Sequence, residues 1–130
     1  IGTGGTITGI GETLKALNPQ MTIWAVEPAN AAILAGGTVG THLQMGIGDG
    51  LIPDILNQNI YEDIYIVSDE EALETAQRLA REEGLMCGIS SGTNVAAAIQ
   101  LAKKLGAGKT VVTVLPDTAE RYFSTPLFED

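Results

Sequence analysis

An α/β fold with a mainly parallel sheet and flanking helices is what this 130-residue sequence predicts. Three observations lead there. Apolar residues recur every three or four positions in separate segments, which is helical spacing. Short runs rich in β-branched residues lie between those segments and have the length of strands. Helices that alternate with short apolar strands imply crossover connections and hence parallel pairing. No repeat, low-complexity tract or internal boundary divides the chain, so residues 1–130 are expected to form one α/β unit.

The elements follow in order. "GTGGT", residues 2–6, is a loop of small residues running straight into a helix. From Thr6 to Leu17 the apolar positions are Ile7, Ile10, Leu14 and Leu17, and Asn18-Pro19 ends the helix. "MTIWAVEP" predicts a buried strand that closes at Pro28. Residues 36–50, with "GGTVG" and "GIGDG", hold too many glycines for a regular element and predict a long loop, a class that is often functional. "IYIV" predicts a strand, and the helix after it starts at Ser68, which has capping-box spacing to Glu71. Leu73, Ala76, Leu79 and Ala80 form its expected apolar stripe, and Gly84 its stop. "SSGTNVAAAIQLAKKLGAG" predicts an alanine-rich helix capped by Ser90 or Ser91 and ended by Gly106. "TVVTVL", residues 110–115, has the continuous apolar pattern of a strand buried on both faces. The tail from Pro116 is expected to wrap irregularly over the surface.

Composition sets limits on function. Sixteen acidic against seven basic residues give a net charge of −9, which argues against nucleic acid or an anionic membrane as a general partner. A local anion site remains compatible with that charge, because backbone N–H groups bind phosphate without basic side chains. Hydrophobic residues make up 45% and aromatics 5%, so the core must be aliphatic and alanine-rich. The one cysteine, Cys87, permits no internal disulfide and suits a reducing compartment. No apolar run approaches the ~18 residues of a membrane span. A cytoplasmic protein is expected.

Each candidate residue has two readings. Glycines at 2, 4 and 5 let a backbone approach an oxyanion at a helix N-terminus, with Thr3 and Thr6 as added donors; the alternative is a tight structural turn. Ser90 and Ser91 are either caps or neutral hydroxyls aimed at a ligand. His42, without cysteine or paired carboxylate nearby, is expected at the surface, and Cys87 as a buried small hydrophobe. Asp117 most simply starts a turn after Pro116. Lys15, Lys103, Lys104 and Lys109 fall on polar helix faces or near helix ends, where no amine would be activated by desolvation. No metal site is expected.

Taken together and in order, "GTGGTITG", "GIGDGLIPDIL", "GISSGTNVAAA" and "PDTAERYFSTPLF" resemble the C-terminal part of the cysteine synthase (O-acetylserine sulfhydrylase) family. These are fold-type II, pyridoxal-phosphate-dependent β-replacement enzymes, and the likeness covers essentially all of the chain. The resemblance implies that Gly2, Thr3, Gly4, Gly5 and Thr6 hold the cofactor phosphate. It implies that Ser90 meets the pyridine nitrogen, and that Gly46 and its neighbours line the substrate side. It also implies O-acetylserine and sulfide as substrates, a homodimeric parent, and serine acetyltransferase as a possible protein partner. A hydroxyl at the ring nitrogen, unlike a carboxylate, does not favour the protonated ring, which suits β-elimination over transamination.

Some positions depart from the family pattern. Met45 stands where glutamine often precedes "GIG", with Gln44 one position earlier, and "DTAERY" replaces the usual Asp-Ser-Gly-Glu-Arg-Tyr. Asp49 sits where cystathionine β-synthases tend to carry an aromatic residue. The lysine that the family links covalently to its cofactor, and the strand before the glycine loop, have no counterpart here. The resemblance therefore implies an incomplete large domain that begins partway through the fold and is inactive alone. The alternatives are a cystathionine β-synthase or phosphoserine sulfhydrylase of the same fold, or a non-catalytic phosphate-binding fragment.

Overall fold

Two parallel strands carry helices and long loops in the computed structural model, which describes residues 1–129. In chain order they are α1 (Gly5–Leu17), β1 (Trp24–Pro28), β2 (Asp63–Val67), α2 (Asp69–Glu83) and α3 (Ile89–Leu105). Short 3-10 turns occupy Ala29–Ala31, Ala119–Tyr122 and Pro126–Phe128. The strands pair in register from Trp24 opposite Asp63 to Pro28 opposite Val67. Pro28, which lacks an N–H, closes β1 where the ladder ends. The segment from β1 to β2 contains no α-helix, so this crossover is made of turn and loop.

Local signals place α2 as expected. Ser68 Oγ accepts the Glu71 N–H at 3.1 Å, three acidic residues occupy the first turn, and Gly84 ends the helix at φ 70°. The buried face differs from the expected stripe, being centred on Ala72 and Ala76 with Leu73 packed beside them. Close approach of α3 explains the shift. Gly92 presses against the Ala72 carbonyl, and a Cβ added there would lie 2.8 Å from Ala76 N. Only small residues fit on both helices at that crossing.

The helix α3 starts two residues earlier than the serine pair implies. Its N-cap is Gly88, so Ser90 and Ser91 lie inside the first turn, and neither is the cap. The Gly88 N–H donates to Asp117 O at 3.1 Å, which anchors the turn from outside and lets helical geometry begin at Ile89.

The core gathers Val67, Ala72, Ala76, Ile89, Ala96, Ala97, Ala119, Tyr122 and Leu127. Three of these belong to the tail, so the tail closes the core as well as covering it. Two segments depart further from expectation. Residues 110–115 form no strand and pair with none among the described residues; Val112 is 85% exposed. Extended apolar sequence becomes a strand only beside a partner that takes its N–H and C=O groups, and here Val114 O accepts the Asn94 amide at 2.8 Å instead. On α1 the buried position is Gly11, set against Ile60 and Ile23, while Ile10, Leu14 and Leu17 face outward. An ion pair from Lys15 to Glu62 ties α1 to the approach of β2.

Candidate functional site

The loop before α1 is built from backbone. Gly4 caps the helix at φ 85° with no side-chain hydrogen bond, a left-handed conformation that suits glycine. Leu56 Cβ would lie 2.9 Å from any Cβ at Gly4, so space and conformation both demand glycine. The Gly5 N–H reaches Thr3 Oγ1 at a long 3.4 Å. With no side-chain cap, the first-turn N–H groups face outward with the positive end of the helix dipole.

A second glycine loop meets the first. The Gly48 N–H donates to Ile1 O at 3.0 Å, and a Cβ at Gly2 would lie 2.7 Å from Gly46 O. Gly46 itself sits at φ 84°. Gly2 and Thr3 share a cleft of about 320 Å³ with Asp49, Leu51, Pro53, Asp54 and Ile55. Residues 2–6 and the neighbourhood of Gly46, far apart in sequence, therefore form one mouth.

Ser90 and Ser91 stand in the first turn of α3, both buried. The Ser91 hydroxyl is enclosed and without a hydrogen-bond partner. No hydrogen bond joins Ser90 to either glycine loop among the described residues; its link to them runs through Thr93, one turn on. Behind this turn, the Tyr122 hydroxyl donates to Asp117 Oδ2. Burial first, then the bond and charge of Asp117, push the Tyr122 phenol up to about 12. Asp117 thus does more than start a turn: its carbonyl holds Gly88 and its carboxylate holds Tyr122. Cys87 is buried as expected, and burial raises its thiol pKa, the opposite of an activated nucleophile.

Sequence reasoning missed Gln44 and misplaced His42. Gln44 is fully enclosed (0% exposed), and its amide connects three elements. Its Nε2 donates to Val67 O at 3.0 Å and to Asp69 Oδ1 at 2.9 Å, and its Oε1 accepts from Thr93 Oγ1 at 2.8 Å. Both partners of Nε2 are acceptors only, which fixes the amide orientation. The Leu43 N–H adds a bond to Asp69 Oδ2 at 2.9 Å. His42 is half-buried, where a surface position was expected. Its Nδ1 accepts the Gln44 N–H at 3.1 Å, which leaves Nε2 to donate to Gly48 O at 3.2 Å. The ring thereby braces the loop through both of its nitrogens. A polar residue inside a glycine-rich loop carries no periodic signal of burial, so the sequence marked Gln44 only as the neighbour of Met45 in the family pattern and not as a buried residue.

These residues suit the phosphate end of pyridoxal phosphate. The two glycines at the mouth are positions that side chains would fill, and the open first turn of α1 supplies donors that an anion matches. Neutral hydroxyls at the start of α3 suit a heterocyclic nitrogen. Lys15 is engaged by Glu62, and Lys104 lies 3.6 Å from Asp63 and over the Trp24 ring. Among the described residues no group of three or more His, Cys, Asp and Glu side chains could hold a metal ion, and no helix is long and apolar enough to cross a membrane.

Comparison with known proteins agrees with this chemistry. The family model described as pyridoxal-phosphate dependent enzyme matches residues 1–117. A cysteine synthase of Staphylococcus aureus is 52% identical over 128 residues, which is 98% of this chain and 41% of that protein. The crystal structure of cysteine synthase (OASS) from Entamoeba histolytica superposes with a TM-score of 0.97 at 38% identity, covering 100% of this chain and 39% of its own. The O-acetylserine dependent cystathionine beta-synthase from Helicobacter pylori gives a TM-score of 0.93 at 38% identity, over 98% of this chain and 42% of its own. The chain spans about 41% of the length of the curated relatives it matches.

Proposed function

Because this chain belongs to the family of pyridoxal-phosphate-dependent enzymes, we propose that it is part of a cysteine synthase. The proposed reaction converts O-acetyl-L-serine and sulfide to L-cysteine and acetate. The observation that carries this reading is the meeting of the loop 2–6 with the Gly46 loop, where a Cβ on Gly2 would lie 2.7 Å from Gly46 O. A phosphate site beside a substrate-side loop is what such a reaction needs.

The roles divide by element. Gly2, Thr3, Gly4, Gly5 and Thr6 bind the cofactor phosphate through backbone N–H groups and hydroxyls, helped by the α1 dipole. Ser90 offers a neutral hydroxyl to the pyridine nitrogen and so orients the ring without holding a proton on it. The loop around Gly46 lines the side where the amino-acid substrate enters. When bound, pyridoxal phosphate supplies the electron sink for bond cleavage at the amino-acid α-carbon. The lysine that binds the cofactor covalently belongs to another part of the full-length protein in this proposal, so the isolated chain carries no turnover. The full-length protein is proposed to be a cytoplasmic homodimer that can dock serine acetyltransferase.

The test is a substrate comparison with the full-length protein. O-acetyl-L-serine and O-phospho-L-serine are each offered with sulfide and with homocysteine. Cysteine formation fastest from O-acetyl-L-serine and sulfide is the expected result. Preference for homocysteine or for the phosphorylated donor assigns the protein to a sister activity of the same fold. Failure to bind the cofactor would leave a non-catalytic phosphate-binding role.

A further inference from the structure

Gln44 has more hydrogen bonds than a loop residue needs to stay in place. Its amide satisfies the end of β2 at Val67, the first residue of α2 at Asp69 and the second turn of α3 at Thr93. Two residues later comes Gly46, whose carbonyl sits against Gly2. Three residues before Thr93 in the helix is Ser90. One buried side chain thus ties the loop that carries Gly46 to the helix that carries Ser90.

We propose that Gln44 is a positioning residue that fixes the Gly46 loop relative to Ser90 and so sets substrate affinity. The inference rests on the proposed function for the roles of Gly46 and Ser90, and on the hydrogen-bond geometry for the coupling. The fixed amide orientation makes the coupling specific: Oε1 can only accept, so Thr93 must donate to it. Losing the amide leaves Thr93 Oγ1, Val67 O and Asp69 Oδ1 without this partner in a buried place. The loop then keeps the His42 brace and the Leu43–Asp69 bond but loses its tie to α3. The phosphate loop 2–6 contains none of these groups and keeps its own tie to the second loop, the bond from the Gly48 N–H to Ile1 O. The predicted consequence is weaker substrate binding with cofactor binding retained.

The experiment uses the full-length holoenzyme with two variants. Gln44→Met keeps the side-chain volume and removes the amide; Thr93→Val removes the tie to α3, with the longer 3.3 Å contact of the same hydroxyl to Ile89 O inside the helix, and serves if the first variant folds poorly. Hydrogen exchange at the amides of residues 43–48 is expected to quicken by about tenfold in both, with α2 amides at wild-type rates. KM for O-acetyl-L-serine is expected to rise roughly three- to tenfold, with kcat within about twofold, the pattern of lost uniform binding. The double variant is expected to raise KM no further than Gln44→Met, because both changes cut one connection. Wild-type exchange and wild-type KM in both variants, even with a lowered Tm, would overturn the proposal and leave Gln44 as packing. Failure of the proposed function reads differently: wild type itself then shows no turnover, while the exchange measurement still decides whether Gln44 ties the loop to α3.

Discussion

Adding one methyl group at Gly2 tests whether the two glycine loops form a single mouth. A Cβ there would lie 2.7 Å from Gly46 O, against an ordinary C···O approach of about 3.3 Å. One loop must therefore retreat by roughly 0.6 Å, the difference between those contacts. Both colliding partners are backbone, so no side-chain rotation relieves the clash. The neighbouring bond from the Gly48 N–H to Ile1 O, 3.0 Å long, ties the loops at the same place and stretches with any retreat. Gly2 is not among the positive-φ glycines, which makes the effect steric rather than conformational. Overpacking of this kind costs about 1–3 kcal/mol, which corresponds to roughly 5- to 150-fold weaker cofactor binding if the site needs the native loop spacing. Gly9→Ala supplies the control. It adds the same atom inside α1, where nothing lies within 4 Å, and should stabilise the helix by about 0.5–1 kcal/mol. The assay is a fluorescence titration of each full-length apoprotein with pyridoxal phosphate, alongside Tm. If Gly2→Ala binds the cofactor within about twofold of wild type and melts at the same temperature, the loops do not meet as described.

Further expectations concern the helices and the tail. Ser90→Ala should keep the cofactor bound, with a loss of about 0.5–1.5 kcal/mol for one neutral hydrogen bond; Ser90→Asp should slow elimination from O-acetyl-L-serine, and stopped-flow spectra of the first half-reaction that match wild type would remove Ser90 from the ring nitrogen. Gly92→Ala drives a methyl into the Ala72 carbonyl and Ala76, so Tm should fall by about 5 °C or more; an unchanged melt would mean that α2 and α3 do not cross so closely. Tyr122, held at about 12 in the fold against about 10 in an unfolded chain, keeps its proton longer when folded. Its stabilisation is complete below pH 10 and is lost as pH rises toward 12, so Tyr122→Phe should flatten the fall in Tm over that interval, and parallel curves for variant and wild type would show that burial and Asp117 do not hold the phenol protonated.

Features decided within a few residues were legible in the sequence, and those decided by a neighbour were not. Ser68 and Glu71 carry their cap in their own spacing, and Gly84 carries its stop, because both bonds close within one turn. The glycines at 2–6 likewise announced the tight entry into α1, where Gly4 takes a left-handed conformation against Leu56. The start of α3 escaped because Gly88 takes its geometry from Asp117, 29 positions later, rather than from the serines beside it. Gln44 escaped for a similar reason: its partners lie 23 to 49 positions away.

Residues 110–115 show the same division from the other side. Their pattern of β-branched residues specifies an extended conformation, which is local; whether extended chain becomes sheet depends on a partner for each backbone group. The sheet of this structure ends at two strands, and Val112 and Val114 remain outside it. Leu17 at 80% exposure on α1 has the same standing, an apolar residue with helical spacing and no surface to cover it. Exposed apolar stretches of this kind are rare on a free monomer surface and mark places where other polypeptide packs. The relatives carry more than half of their length outside the matched region. Residues 110–115 and the outer stripe of α1 are thus apolar sequence that finds no cover among the described residues.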